Sequence, residues 1–236
     1  MAACPDVALA EYRAELDFLR DYPAEKLAEV IMHVGFSCTC CGRCCTRVFN
    51  GHVYLLTEDT RRLREFAPEM LMPAPGFPYS DPDGSFYVSG YCLRTKPNGD
   101  CVFLNEARCC TIYDQRFAIC RIYPYMLHRE PDLQGRVNWR QIGGLDEHGE
   151  YNTIIPAAEA EAVAADVIAY ETAYLEQEIL FHEALLEMFS AAGIRFVRRD
   201  HDRRLRNFLK NSSETVVYVG DDGALRPERV QASDYR

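Results

Sequence analysis

Five cysteines fall within FSCTCCGRCC, from Phe36 to Cys45, and thiols at that density are bonded to one another, bonded to metal, or packed in a core. Four of them, Cys38, Cys41, Cys44 and Cys45, form C-x2-C-x2-C-C. Two intervening residues let a turn bring both sulfurs to one ion, the spacing of zinc knuckles and of iron–sulfur ligand runs. Gly42, between the second and third, permits a tight backbone and lets amides point at the thiolates. Neighbouring side chains diverge in most backbone conformations, so Cys44 and Cys45 are expected to face different directions. Two sites, or one cluster plus a free thiol, then follow more naturally than a single tetrahedral ion held by all four. Cys40 is off this register and reads as a small buried hydrophobe.

A second group lies in CVFLNEARCCTIYDQRFAICRIYPY. Cys101, Cys109 or Cys110, and Cys120 are spaced for three loops converging on a common point. Near them in sequence, His33, His52 and His128 are candidates to complete a metal site, though a lone histidine is more often a surface or hydrogen-bonded residue. Arg43, Arg47, Arg116 and Arg121 would offset thiolate charge or bind an anion. Arg121, fixed between Cys120 and Tyr123-Pro124, is the best candidate to touch a cofactor, with a structural ion pair as the plainer reading.

Composition narrows the choice among chemistries. The start MAACPDVALAEYRAELDF lacks the basic and apolar regions of a signal peptide, and no apolar run nears the ~20 residues of a membrane span. A cytoplasmic chain is expected, with no membrane attachment. There, clustered thiols serve as metal ligands or catalytic groups more often than as disulfides. A net charge of -10 argues against nucleic-acid binding, and 48% hydrophobic with 26% charged residues is ordinary for a globular protein.

The elements that must position these thiols are legible in part. Leu9, Tyr12, Leu16 and Leu19 form one helical stripe. Leu27, Val30, Ile31 and Val34 form another, stopped by Gly35, so the first cysteine group is a loop hung on a helix end. A short strand is expected over His52 to Leu56, a helix over Thr57 to Phe66, and strands near Phe86 to Tyr91 and Arg136 to Ile142. Pro156 opens a helical pattern of roughly 35 residues, long enough to admit a kink, closed by Gly193. Then come a strand (Ile194 to Val197), a basic helix (His201 to Lys210), a strand (Thr215 to Val219) and a polar tail. The basic run RRDHDRRLRNFLK reads as a solvated face. The organisation expected is 1–35 N-terminal helices, 36–150 a cysteine-cluster core, and 151–236 a C-terminal helical layer with short strands. The fold class is α+β: an irregular, helix-rich single domain built around a cysteine-ligated metal site.

F-x-C-x-x-C-G-x-C-C, C-x-F-L, C-x-I-Y and C-R-x-Y-P, in that order, resemble the YkgJ-type cysteine-cluster (CxxCxxCC) family of zinc- or iron-chelating domains, to which the flagellin lysine N-methylases are related. VYLLTEDTRRL, from Val53, resembles the strand and helix that follow the family's first cysteines. The resemblance spans roughly residues 36 to 125. It implies Cys110, not Cys109, as the family cysteine, and the metal set Cys38, Cys41, Cys44, Cys45, Cys101, Cys110 and Cys120. Phe117 stands where the family usually has proline, which should change a local turn. The methylases imply iron–sulfur chemistry, a protein substrate and S-adenosylmethionine as methyl donor, by family analogy alone.

Seven thiolates exceed the four that one zinc ion needs, leaving three over or making a second site completed by His, Asp or water. A four-iron, four-sulfur cluster also takes four cysteines, or three with an open iron, so seven fit one closed site with a three-thiolate open site. A four-iron, four-sulfur cluster is favoured over zinc, because cysteine-only ligation with paired cysteines resembles cluster binding. The leading functional reading is a cysteine-cluster metalloprotein that supports group transfer, such as lysine methylation of a protein. The rivals are a non-catalytic metal staple and a metal-delivery protein. No catalytic residue is singled out.

Overall fold

The computed structural model describes residues 4–125, 127–131, 137–141, 147–211 and 213–235, with 127–131 and 137–141 described by their backbone. The architecture is mixed α+β, with helices α1 (Pro5–Arg20), α2 (Ala24–Val34), α3 (Arg47–Asn50), α4 (Thr57–Phe66), α5 (Ala118–Ile122), α6 (Ala157–Ala191) and α7 (Arg198–Asn211). The long pattern after Pro156 forms one continuous helix, α6. The chain divides into two compact units. One takes Met1–Ala14, Leu56–Cys92 and Tyr174–Arg236; the other takes Glu15–Leu55 and Leu93–Ala173.

The first unit is built on a sheet with strand order Tyr79–Ser80, Phe86–Ser89, Glu214–Gly220, Leu225–Gln231. Phe86–Ser89 runs parallel to Glu214–Gly220, with Phe86 opposite Val217, and the other pairs are antiparallel. Side chains alternate across a strand, and here both faces find apolar partners. Phe86, Val88, Val217 and Val219 pack with Phe208 of α7. Tyr87 packs with Phe181, Leu185 and Phe189 of α6, and Tyr218 against them.

Two sequence expectations need correction in this unit. Ile194 to Val197 forms no strand, because α7 begins at once and Ile194 and Phe196 instead pack into the second cluster. The segment read as a polar tail contains the strand Leu225–Gln231. Its proline and charges misled the reading, yet it is an edge strand, where both are tolerated.

In the second unit Leu27, Ala28 and Ile31 of α2 are buried, as are Ala160, Ala164 and Val167 of α6. Gly35 ends α2 in the left-handed conformation, its N–H donating to Ile31 O at 2.9 Å. A Cβ there would lie 2.2 Å from Thr153 O, so only glycine lets the chain turn off the helix at this point. The strand expected near Arg136 to Ile142 is Val137–Gln141, paired antiparallel with Leu127–Pro131; Arg136 and Ile142 lie outside the described residues.

Candidate metal centre

The loop after α2 is pinned at both ends. Ser37 pairs with Glu150, and Thr46 pairs with Asp100. Between them Cys45 N–H donates to Gly42 O at 3.3 Å and Thr46 N–H to Arg43 O at 3.2 Å, two successive turns. Gly42 sits at φ +67, and a Cβ on it would come within 2.9 Å of Arg108 O. The glycine therefore lets this loop lie directly on the segment that carries Cys109 and Cys110. Cys101 N–H donates to Cys45 O at 2.8 Å, tying the second cysteine group to the first. Leu104 pairs with Cys110, and α5 presents Cys120.

All seven thiols of the family pattern line one cavity of about 350 Å3: Cys38, Cys41, Cys44, Cys45, Cys101, Cys110 and Cys120. The expected divergence of Cys44 and Cys45 does not occur. Their sulfurs lie 4.0 Å apart, because the turns at Gly42 and Arg43 replace the extended backbone that would splay them. The sulfurs feel one another. A hydrogen bond from Cys45 and burial push the Cys44 thiol far up, while the Cys44 hydrogen bond and the charges of Arg108 and Arg116 bring Cys45 down to about 7. Burial raises Cys101 to about 11 and pushes Cys110 and Cys120 up, with the neighbouring cysteines adding to each. Cys41 differs. Burial raises it, but the N–H groups of Arg43 and Gly149 and the Thr39 hydroxyl outweigh that and lower it.

Among the described residues no three Cys, His, Asp or Glu side chains are drawn close enough to hold an ion where they stand. Burial keeps most of these thiols neutral, and a bound cation would favour the thiolate and draw the sulfurs inward. The donor set itself fits a thiophilic metal or cluster: the cavity wall carries eight cysteines, two histidines and no carboxylate among the described residues. Arg108 and Arg116 supply positive charge at the wall. Arg108 donates to Gly42 O at 3.1 Å and pairs with Asp100 at 2.8 Å. Arg116 stacks 3.9 Å from the centroid of Tyr113 and donates to Tyr113 O at 2.9 Å.

The structure sorts the remaining candidates. Arg121 is exposed and outside the cavity wall; its guanidinium donates to Arg116 O at 2.9 Å, so it braces the arginine that does line the wall. His52 lines the cavity, and burial lowers its pKa; His33 is exposed and not on the wall; the His128 side chain lies outside what the structure describes. Arg43 donates to Glu147 O at 2.9 Å and lies over Phe49, while Arg47 borders a small side pocket beside Cys44 and Cys45. Cys40 is not buried as expected: it sits half-exposed on the wall, at a left-handed φ of 54. Phe117 keeps φ at -62, inside the range proline imposes.

Sequence reasoning missed His148. It is 7% exposed, lines the cavity, and its ring sits 4.7 Å from that of Phe49 and 5.3 Å from that of Tyr123. Its place depends on the Ser37–Glu150 pairing, which brings residues 147–150 to the cysteine loop from more than a hundred residues away, and no local spacing announces it.

Residues 37–142 match the protein-family model CxxCxxCC, described as a putative zinc- or iron-chelating domain. Comparison with curated proteins and with solved structures finds no match.

Proposed function

We propose, for a chain that carries a CxxCxxCC domain over residues 37–142, that the seven-thiol chamber holds an iron–sulfur cluster and exposes it to a substrate. One observation carries the reading: seven thiols surround a single cavity, enough to ligate a cluster with thiols to spare, and no carboxylate joins them among the described residues. Cys41 and Cys45, both lowered, are thiols poised to ligate at neutral pH, and Arg108 and Arg116 offset the charge of the ligated state. Cys41 is exposed and Tyr113 is 37% exposed at the cavity, so a side chain of another molecule can reach the wall. Group transfer to a protein substrate is the activity we place there; S-adenosylmethionine as the donor rests on the resemblance alone.

A structural zinc staple is the second reading. It is favoured by the loops that carry the cysteines, whose pairings among the described residues are isolated bridges and not strands. Anaerobic purification with iron, zinc and acid-labile sulfide analysis separates the two. About four irons and four sulfides per chain, with a visible chromophore, are expected. One or two zinc ions and a colourless protein would end the cluster reading.

A further inference from the structure

Residues 195–210 hold seven of the chain's 26 Lys and Arg but only two of its 36 Asp and Glu, so an acidic protein concentrates positive charge on one element. Helix α7 is fixed by its apolar side. Phe208 is buried in the sheet's first cluster, Leu205 packs against that cluster, and the His201 ring lies 6.2 Å from that of Phe86. The opposite side carries Arg199, Arg203, Arg206 and Lys210, all exposed. Steps of four, three and four residues keep them in one row, about 16 Å long at the helical rise per residue. Both carboxylates of the segment are engaged, Asp200 with Arg203 and Asp202 with Arg198, each at 2.8 Å. Arg199, Arg206 and Lys210 meet no carboxylate among the described residues, whereas Arg61, Arg226 and Arg229 of the same unit each do.

We infer that this row docks an acidic helix of a partner protein, whose carboxylates repeat at i, i+4, i+7 and i+11 and lie against α7. Guanidinium groups take carboxylates through paired N–H bonds, and six of the seven cations in the segment are arginine. A helix repeats charge along one line at the same rise as α7, so the two rows stay in step. Other polyanions suit this face less well. The row holds no aromatic ring on which the bases of a single strand could stack. A duplex carries its phosphates beyond the row, over a chain whose remaining charge is strongly negative. A bilayer would meet charge alone, because the apolar side of α7 is buried against the sheet. The row shares no residue with the thiol chamber, so docking stands or falls apart from the metal reading.

The test titrates the full chain into two fluorescein-labelled synthetic peptides at low salt and reads fluorescence anisotropy. One peptide is helical, with glutamate at i, i+4, i+7 and i+11 on an alanine and glutamine background. The other has the same residues reordered, so that the glutamates fall on all sides of the helix. The ordered peptide is expected to bind about tenfold more tightly than its isomer, and added salt should weaken it. Arg206→Glu should cost about three- to tenfold in affinity. Lys26→Glu, an equal change of net charge at an exposed site in the other unit, should cost less than about twofold. The peptide comparison in the wild type decides even where a variant fails to fold. Equal binding of the two peptides, no binding of either, or unchanged affinity in Arg206→Glu would overturn the proposal. So would tighter binding of an RNA duplex or of phosphatidylserine vesicles, or displacement of the ordered peptide by a second copy of the chain.

Discussion

At the scale of single residues, Arg116 is the side chain on which the chamber's charge balance turns. Its positive charge bears on Cys45, Cys110 and Cys120, three of the seven thiols, whereas Arg121, off the cavity wall, donates to its backbone carbonyl. Arg116→Gln should therefore weaken metal binding about three- to tenfold, on the order of 1 kcal/mol for a half-exposed charge near thiolates. Arg116→Lys should recover most of that loss, and Arg121→Ala should cost less than Arg116→Gln. Competition with a chromogenic chelator reads all three; equal affinities in Arg116→Gln and wild type would sink the assignment. The thiol spacing was legible because C-x2-C-x2-C-C is a local fact of the backbone. The choice between Arg116 and Arg121 was not, because it depends on which side of α5 faces the cavity. His148 and Arg108 were illegible for a related cause: each reaches the wall through contacts with a loop distant in sequence.

At the scale of elements, the helices were the readable part. The apolar stripe and the glycine stop gave Ala24–Val34 nearly to its ends, and the segment after Leu56 gave Thr57–Phe66. Short strands were less readable, because their pairing partners lie far along the chain, as Phe86 with Val217 shows. Helix α6 also carries a feature that its pattern hides. Glu178 is 9% exposed and is pushed by burial up to about 7. One turn on, His182 Nδ1 meets Glu178 O at 2.7 Å while Nε2 meets the Tyr79 hydroxyl at 3.0 Å, and burial lowers its pKa. The folded state thus holds a proton on Glu178 that the unfolded chain releases near 4.5. Its contribution is full below about 4.5 and is lost as pH rises towards 7, by up to about 3 kcal/mol. His182 acts in the opposite sense, since its lowered pKa costs stability as pH falls below about 6.5. Glu178→Gln keeps the neutral shape and should abolish the loss on the alkaline side. Urea unfolding at pH 5, 6 and 7 checks this; parallel pH slopes in the variant and wild type would refute it.

At the scale of the whole molecule, each compact unit carries its own buried apolar residues, but they differ in what else holds them. The unit with the Phe86–Ser89 and Glu214–Gly220 strands has two clusters of buried aromatic and aliphatic side chains on a four-stranded sheet. The unit with the cysteines buries Leu27, Ile31, Leu104, Phe117 and Ile122, yet its cysteine loops are joined by single bridges, and burial raises the pKa of the Cys101, Cys110 and Cys120 thiols on its chamber wall. Neither unit is contiguous in sequence. Metal binding to deprotonated sulfur is folding free energy for the loops that supply the ligands. Stripping the metal with a chelator under reducing conditions should therefore lower the thermal transition of the cysteine unit, by on the order of 10 °C or more. Hydrogen exchange should locate the loss. Amides over 36–55 and 93–125 are expected to lose protection, while those over 79–89 and 214–231 keep theirs. Protection that falls equally in both sets would mean that the apolar clusters cannot stand without the metal, against the sufficiency argued from their burial. Loss confined to the cysteine unit would agree with a metal held by the thiols around that cavity.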